Sequence, residues 1–99
     1  MPATRRMQCR IDARRNEQRL ILHLAGDLTE EYVPAFLEAC ASEGARLVVE
    51  LDELLSADAV GVDALRRIEE RGAMLVSLPF YLRLKLDKLE SSRRREHVD

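Results

Sequence analysis

The chain has 99 residues, enough for one domain and too few for two; a chain of this size buries roughly 60 to 70% of its unfolded surface without disulfide or metal staples. Hydrophobic residues make up 46% and charged residues 34%, with 16 basic and 18 acidic side chains intermixed for a net charge of −2, which excludes compositional disorder and argues against a dedicated nucleic-acid surface. Cys9 and Cys40 have no CxxC or Cys/His spacing and read as buried free thiols, and no apolar run approaches the ~20 residues of a membrane span or forms a leader's apolar core, so a cytoplasmic protein without membrane insertion is expected.

Residues 7 to 13 alternate strictly, with Met7, Cys9, Ile11 and Ala13 on one face and Gln8, Arg10 and Asp12 on the other, the pattern of a half-buried strand. Asn16 marks a turn before a second strand through Leu20, Leu22, Leu24 and Ala25. The two are expected to pair as an antiparallel hairpin, the arginine-decorated strand at the sheet edge. His23 points away from the leucines and, with no ligand at metal spacing in the sequence, reads as a structural histidine. Residues 26 to 31 read as a turn into an amphipathic helix, with Thr29 as the cap and Glu30 and Glu31 where the helix dipole favours negative charge. Pro34 sets the regular helix to begin near Tyr32. Val33, Phe36, Leu37 and Cys40 then face the core, and Gly44 ends the element.

The next stretch, residues 46 to 79, organises the chain. Leu47, Val48, Val49 and Leu51 form a strand that Asp52 and Glu53 are expected to end by turning. From Asp58, a natural N-cap, Gly61, Val62, Leu65 and Ile68 recur at helical spacing. Asp63, Arg66, Arg67, Glu69, Glu70 and Arg71 take the solvent side, and Gly72 is the stop. A strand over residues 73 to 78 follows, completing a right-handed βαβ unit with parallel strands. Its functional rim should lie at residues 56 to 61, beyond the carboxyl end of the first parallel strand. From Pro79 a last helix buries Leu82, Leu86 and Leu89. Leu84 falls off that stripe, either as a lone surface leucine or, with Phe80 or Tyr81, as an outer apolar patch. Residues 1 to 6 are expected to be flexible, 7 to 90 to form the domain, and 91 to 99 to be a charged, solvated tail.

Catalytic chemistry finds little support. The sequence has no GxSxG, no HExxH, no glycine-rich phosphate loop and only two histidines, so the expectation is a non-enzyme. Asp52, Glu53 and Asp58 could together hold a hard cation, but turn former, solvated side chain and helix cap are their plainer roles, and no metal is expected. The same three charges oppose anion capture at the helix start, so no cofactor is expected.

The order of elements, residues 26 to 29 (Gly-Asp-Leu-Thr), Leu47-Val48-Val49-Glu50-Leu51, and Asp58-Ala59-Val60-Gly61 opening a helix resemble a STAS domain, the module of sulfate transporters and anti-sigma factor antagonists. In that family an Asp-Ser-Ser/Thr-Gly motif carries a serine that a partner kinase phosphorylates to switch binding off. Asp58 and Gly61 match its ends, while Ala59 stands at the acceptor serine and Val60 at the second hydroxyl residue. The resemblance implies an α/β fold: a single STAS-like domain with a four-stranded mixed sheet, an antiparallel edge strand followed by parallel βαβαβ, helices mainly on one face, and a C-terminal helix. It also implies a non-catalytic regulatory module, not phosphorylated at Ala59, that docks on a protein partner through Asp27, Thr29, Ser56, Ala57, Asp58, Ala59, Val60, Gly61 and Asp63. The partner would be a kinase-like anti-sigma factor. Residues 78 to 84 are similar to the last helix of small STAS subunits that dock on the ATPase of ABC-type lipid transporters, which gives a second partner class. A nucleotide- or lipid-binding STAS domain is a third reading, Ser56 is an alternative phosphate acceptor, and a homodimer remains open.

Overall fold

The computed structural model describes residues 8–41 and 46–97, with side chains through residue 88. Its elements are β1 (Cys9–Asn16), β2 (Arg19–Leu28), α1 (Val33–Cys40), β3 (Arg46–Ala57), α2 (Ala59–Glu70), β4 (Met74–Val76) and α3 (Phe80–His97). The strands lie in the order β1-β2-β3-β4; β1 is antiparallel to β2, and the β2–β3 and β3–β4 pairs are parallel. This is the mixed sheet the element order predicts.

β1 and β2 meet through a two-residue turn, since Asn16 pairs with Arg19 and Glu17 takes φ 57°; Asn16 is the first residue of that turn, where it was expected. Both central strands outrun their expected ends. Residues 26–28 continue β2 where a turn was expected, because Gly26 at φ 95° bends the strand without ending it. The Asp27 amide donates to the Gln8 carbonyl at 2.8 Å, and Asp27 and Leu28 are buried. Asp52 and Glu53 do not turn the chain either. β3 carries them through a register shift against β2, and a second shift follows at Leu55, so a polar pair that resembles a turn is accommodated by a β-bulge. β4 is shorter than expected, ending before Ser77, which turns the chain aside at φ 56°.

α1 begins without its expected hydroxyl cap. The backbone carbonyl of Thr29, not its side chain, accepts from the amides of Tyr32 and Val33 at 2.9 and 3.2 Å, and Tyr32 is the cap residue with Pro34 in the first turn. α2 follows expectation at both ends. Asp58 caps it, and the amides of Gly72 and Ala73 close on the carbonyls of Glu69 and Ile68, the Schellman pattern that a left-handed glycine permits. Arg66, expected on the solvent side, is only 6% exposed. Its guanidinium is buried with its stem: Nη1 bonds Glu70 one turn on in the same helix, Nη2 lies 3.9 Å from Asp63 one turn back, and Nε and Nη2 make no hydrogen bond among the described residues, so the two flanking carboxylates compensate the buried charge. The Pro79 carbonyl accepts from Leu82 and Arg83, so α3 starts just after the proline and runs through most of the expected tail. Leu89 lies outside the described side chains, as the expected flexible residues 1–6 and Gly44 lie outside the described residues.

Leu20, Leu22, Leu24, Val49 and Leu51 turn one face of the sheet inward, where Val33 and Phe36 of α1, Val62, Leu65 and Ile68 of α2 and Leu82 and Leu86 of α3 join a single core. Each such leucine or phenylalanine contributes about 1.5–3 kcal/mol by leaving water. Ile21, His23, Val48 and Glu50 alternate with these residues and form the open face, which leaves the loop ends of β2 and β3 fixed by the core beneath them.

Candidate functional site

Parallel pairing of Asp27 with Ser56 and Leu28 with Ala57 brings the carboxyl ends of β2 and β3 out side by side. The Ser56 hydroxyl donates to Asp27 Oδ1 at 2.6 Å, so a charge that is 3% exposed is held by its cross-strand neighbour. The chain then enters α2 through Asp58, whose amide donates to the Leu28 carbonyl at 3.1 Å. Both oxygens of its carboxylate are used: Oδ1 accepts from the Gly61 amide and Oδ2 from the Glu30 amide, each at 2.8 Å. One side chain thus caps α2 and ties its start to the segment before α1. Gly61 lies so close to β2 that an added Cβ would stand 2.3 Å from the Leu28 carbonyl oxygen.

α3 braces the same rim. The Tyr81 hydroxyl donates to the Leu54 carbonyl at 2.7 Å and Lys85 Nζ to the Ala57 carbonyl at 3.0 Å. Burial first, and the negative charge of Asp27 second, push the Tyr81 hydroxyl up from its ordinary pKa, which keeps it protonated as a donor. Tyr81 and Lys85 were not among the sequence-derived site residues. Their spacing of four is visible in the sequence, but nothing there shows that their shared face meets the end of β3.

The nine sequence-derived residues therefore divide. Asp58, Ala59 and Val60 are exposed, while Thr29, Ser56 and Asp63 are half-buried. Asp27, Ala57 and Gly61 are buried; packing of α2 against the strand ends closes over them, so they support the rim instead of forming its surface. Asp58 also leaves the expected acidic trio: it faces the helix amides, whereas Asp52 and Glu53 lie against His23. His23, read as an isolated histidine, thus has two carboxylates beside it. With the Gly61 amide occupied by Asp58, the helix start offers less to the anion of a nucleotide or lipid.

The two thiols are free and poorly suited to nucleophilic work. Burial, reinforced by Asp27, raises Cys9 from 9.0 to about 11; burial, partly offset by Arg71, raises Cys40 from 9.0 to about 11. Proton binding at these groups favours the folded state at neutral pH, and that contribution is fully present below pH 9.0 and lost as pH rises through about 11. With the pKa raised from 9.0 to about 11, the thiolate fraction at pH 8 is about 100-fold lower than in the unfolded chain, and the thiolate is the reactive species. Ellman's reagent is accordingly expected to modify the folded protein about two orders of magnitude more slowly than the urea-unfolded protein at the same pH. Comparable rates would show that these sites open readily.

A four-stranded mixed sheet in this order with helices packed against it, its rim at the joined ends of β2 and β3 and the start of α2, is the STAS fold. The chain is similar to the crystal structure of an antisigma-factor antagonist, a STAS domain from Rhodobacter sphaeroides, with a TM-score of 0.54 and 20% identity over 68% of this chain and 82% of that one. No family model and no curated protein matches the sequence. Among the described residues no helix is long and apolar enough to cross a membrane.

Proposed function

We propose that this chain is a non-catalytic, protein-binding regulatory module of the anti-sigma factor antagonist type, which docks through Asp58, Ala59 and Val60 with Thr29 and Asp63 beside them. The observation that carries the reading is the exposure of small, unreactive Ala59 and of Val60, 41% exposed, on a rim that β2, β3 and α3 hold from beneath. A kinase-like anti-sigma factor is the partner class the resemblance favours. Ala59 offers no hydroxyl for a phosphate. Ser56 is a poor substitute, because its hydroxyl is bonded to buried Asp27 and a phosphate of about −1.5 to −2 charge there would oppose that carboxylate. Binding by this module is therefore constitutive at the position where related motifs are switched.

The test is affinity capture from native extract, identification of the captured protein, and equilibrium binding of that purified protein to the wild type and to Ala59→Glu. Glutamate at the first helical position suits the helix dipole, so the variant keeps its fold. Loss of a central contact of about 2 kcal/mol predicts binding roughly 30-fold weaker. Unchanged affinity would remove this surface.

A second reading, docking on a transporter ATPase through α3, is favoured by Phe80 and Leu84, one turn apart and 76% and 54% exposed. Leu84→Glu in the same assay separates the two faces, since only one of the two variants weakens binding.

A further inference from the structure

Consecutive residues of a regular strand project to opposite faces, so Asp52 and Glu53 should not both reach one neighbour. Here the ladder slips: His23 pairs with Glu50 and Ala25 with Glu53, so β3 takes three steps where β2 takes two. The bulge turns both acids onto the histidine, whose Nε2 lies 3.3 Å from Asp52 Oδ1 and 3.0 Å from Glu53 Oε1. The ligand atoms of all three lie within 4.8 Å of one another.

The charge around them is unevenly compensated. His23 has Asp12 and Glu50 as its cross-strand neighbours, and each of those carboxylates has its own arginine, Arg10 at 3.2 Å and Arg14 at 3.4 Å. Among the described residues Asp52 and Glu53 pair with no arginine or lysine; the imidazole is the partner they share. Two negative charges and a nitrogen donor thus converge where a divalent ion would be neutralised. The spacing also fits. Bonds of about 2.1 Å from an ion to nitrogen and oxygen place adjacent ligand atoms about 3.0 Å apart at octahedral angles and about 3.4 Å apart at tetrahedral ones, and the two observed separations fall in this range.

We infer that His23, Asp52 and Glu53 form a binding site for a first-row divalent transition ion of the zinc class, held across the β2–β3 bulge on the open face of the sheet. The imidazole nitrogen selects against magnesium and calcium, which prefer all-oxygen shells. The acids are 58% and 64% exposed and the histidine 21%, so the ion keeps coordination positions open to water. It would clamp the two central strands where their hydrogen-bond ladder is interrupted.

The experiment is calorimetric titration of the full chain with zinc chloride in a non-coordinating buffer, with cobalt absorption as a report on ligand type. One equivalent of zinc is expected to bind and to raise the melting temperature, while magnesium at the same concentration does neither. Even outer-shell partners of metal ligands are worth about 10–100-fold in affinity, so His23→Gln is expected to weaken binding at least tenfold. Asp52→Asn combined with Glu53→Gln, at exposed positions that the fold tolerates, gives the same loss should the histidine variant fail to fold. Absence of saturable uptake, uptake unchanged in these variants, or a cobalt spectrum with thiolate charge-transfer bands would overturn the assignment.

Discussion

Replacing Gly61 with alanine is expected to cost about 2 to 3 kcal/mol of folding stability, the usual penalty for forcing a methyl group into a filled space. For a domain this small that lowers the melting temperature by roughly 10–20 °C. Helix propensity alone predicts the opposite sign, since alanine is favoured over glycine by about 1 kcal/mol in a helix interior. Packing wins because of what the new Cβ would meet. The Leu28 carbonyl oxygen stands 2.3 Å away, its carbon 3.2 Å and the Leu28 side chain 3.1 Å, and two of these three are backbone that cannot rotate aside. The same carbonyl accepts the Asp58 amide, so pushing it back also loosens the entry to α2. Thermal unfolding followed by circular dichroism measures the effect. A variant that melts at or above the wild-type temperature would mean that α2 does not rest on the backbone of β2.

This close approach also shows what can be read in a sequence and what cannot. Gly61 was legible as part of a helix start, because Asp58 before it and the apolar spacing after it are local signals. Its burial was not, since Leu28 is 33 positions earlier in the sequence and contacts it only once β2 and β3 are paired. Among cap and stop signals written within a few residues, Asp58, Pro34 and Gly72 hold for the same reason, whereas Thr29 lends only its backbone carbonyl to the start of α1. The strand ends were misread where polar residues sit inside a strand. Gly26-Asp27 and Asp52-Glu53 both resemble turns, and in both cases the chain continues, by a glycine bend in β2 and a bulge in β3. The second of these hid the environment of His23, because the acids that approach it are 29 and 30 positions away and arrive by a register shift that no short-range pattern reveals. For the rim, the location was legible and the division into surface and support was not; Asp27 and Ala57 are closed off only by the packing of elements distant in the chain.

Asp58 gives the second large effect, and its two oxygens allow the contributions to be separated. Removing an N-cap side chain costs about 1 kcal/mol, and a hydrogen bond from a backbone amide to a charged acceptor is worth about 1.5–3 kcal/mol. Asp58 is exposed and water replaces part of what is lost, so Asp58→Ala is expected to cost about 2 kcal/mol in total, less than the two terms added. Asp58→Asn keeps one carbonyl oxygen for the Gly61 amide but turns an NH2 group toward the Glu30 amide, donor against donor. It is expected to retain the cap and lose the tether, giving roughly half the destabilisation of the alanine variant. Amide hydrogen exchange distinguishes the two directly: protection at Glu30 falls in both variants, whereas protection at Gly61 falls only with alanine. If the rim is the docking surface, asparagine also weakens partner binding, because Thr29 is then no longer held beside Ala59 and Val60. An asparagine variant equal to the wild type in stability and in Glu30 exchange would show that the cap accounts for everything Asp58 does, and that the two loops are positioned by the core alone.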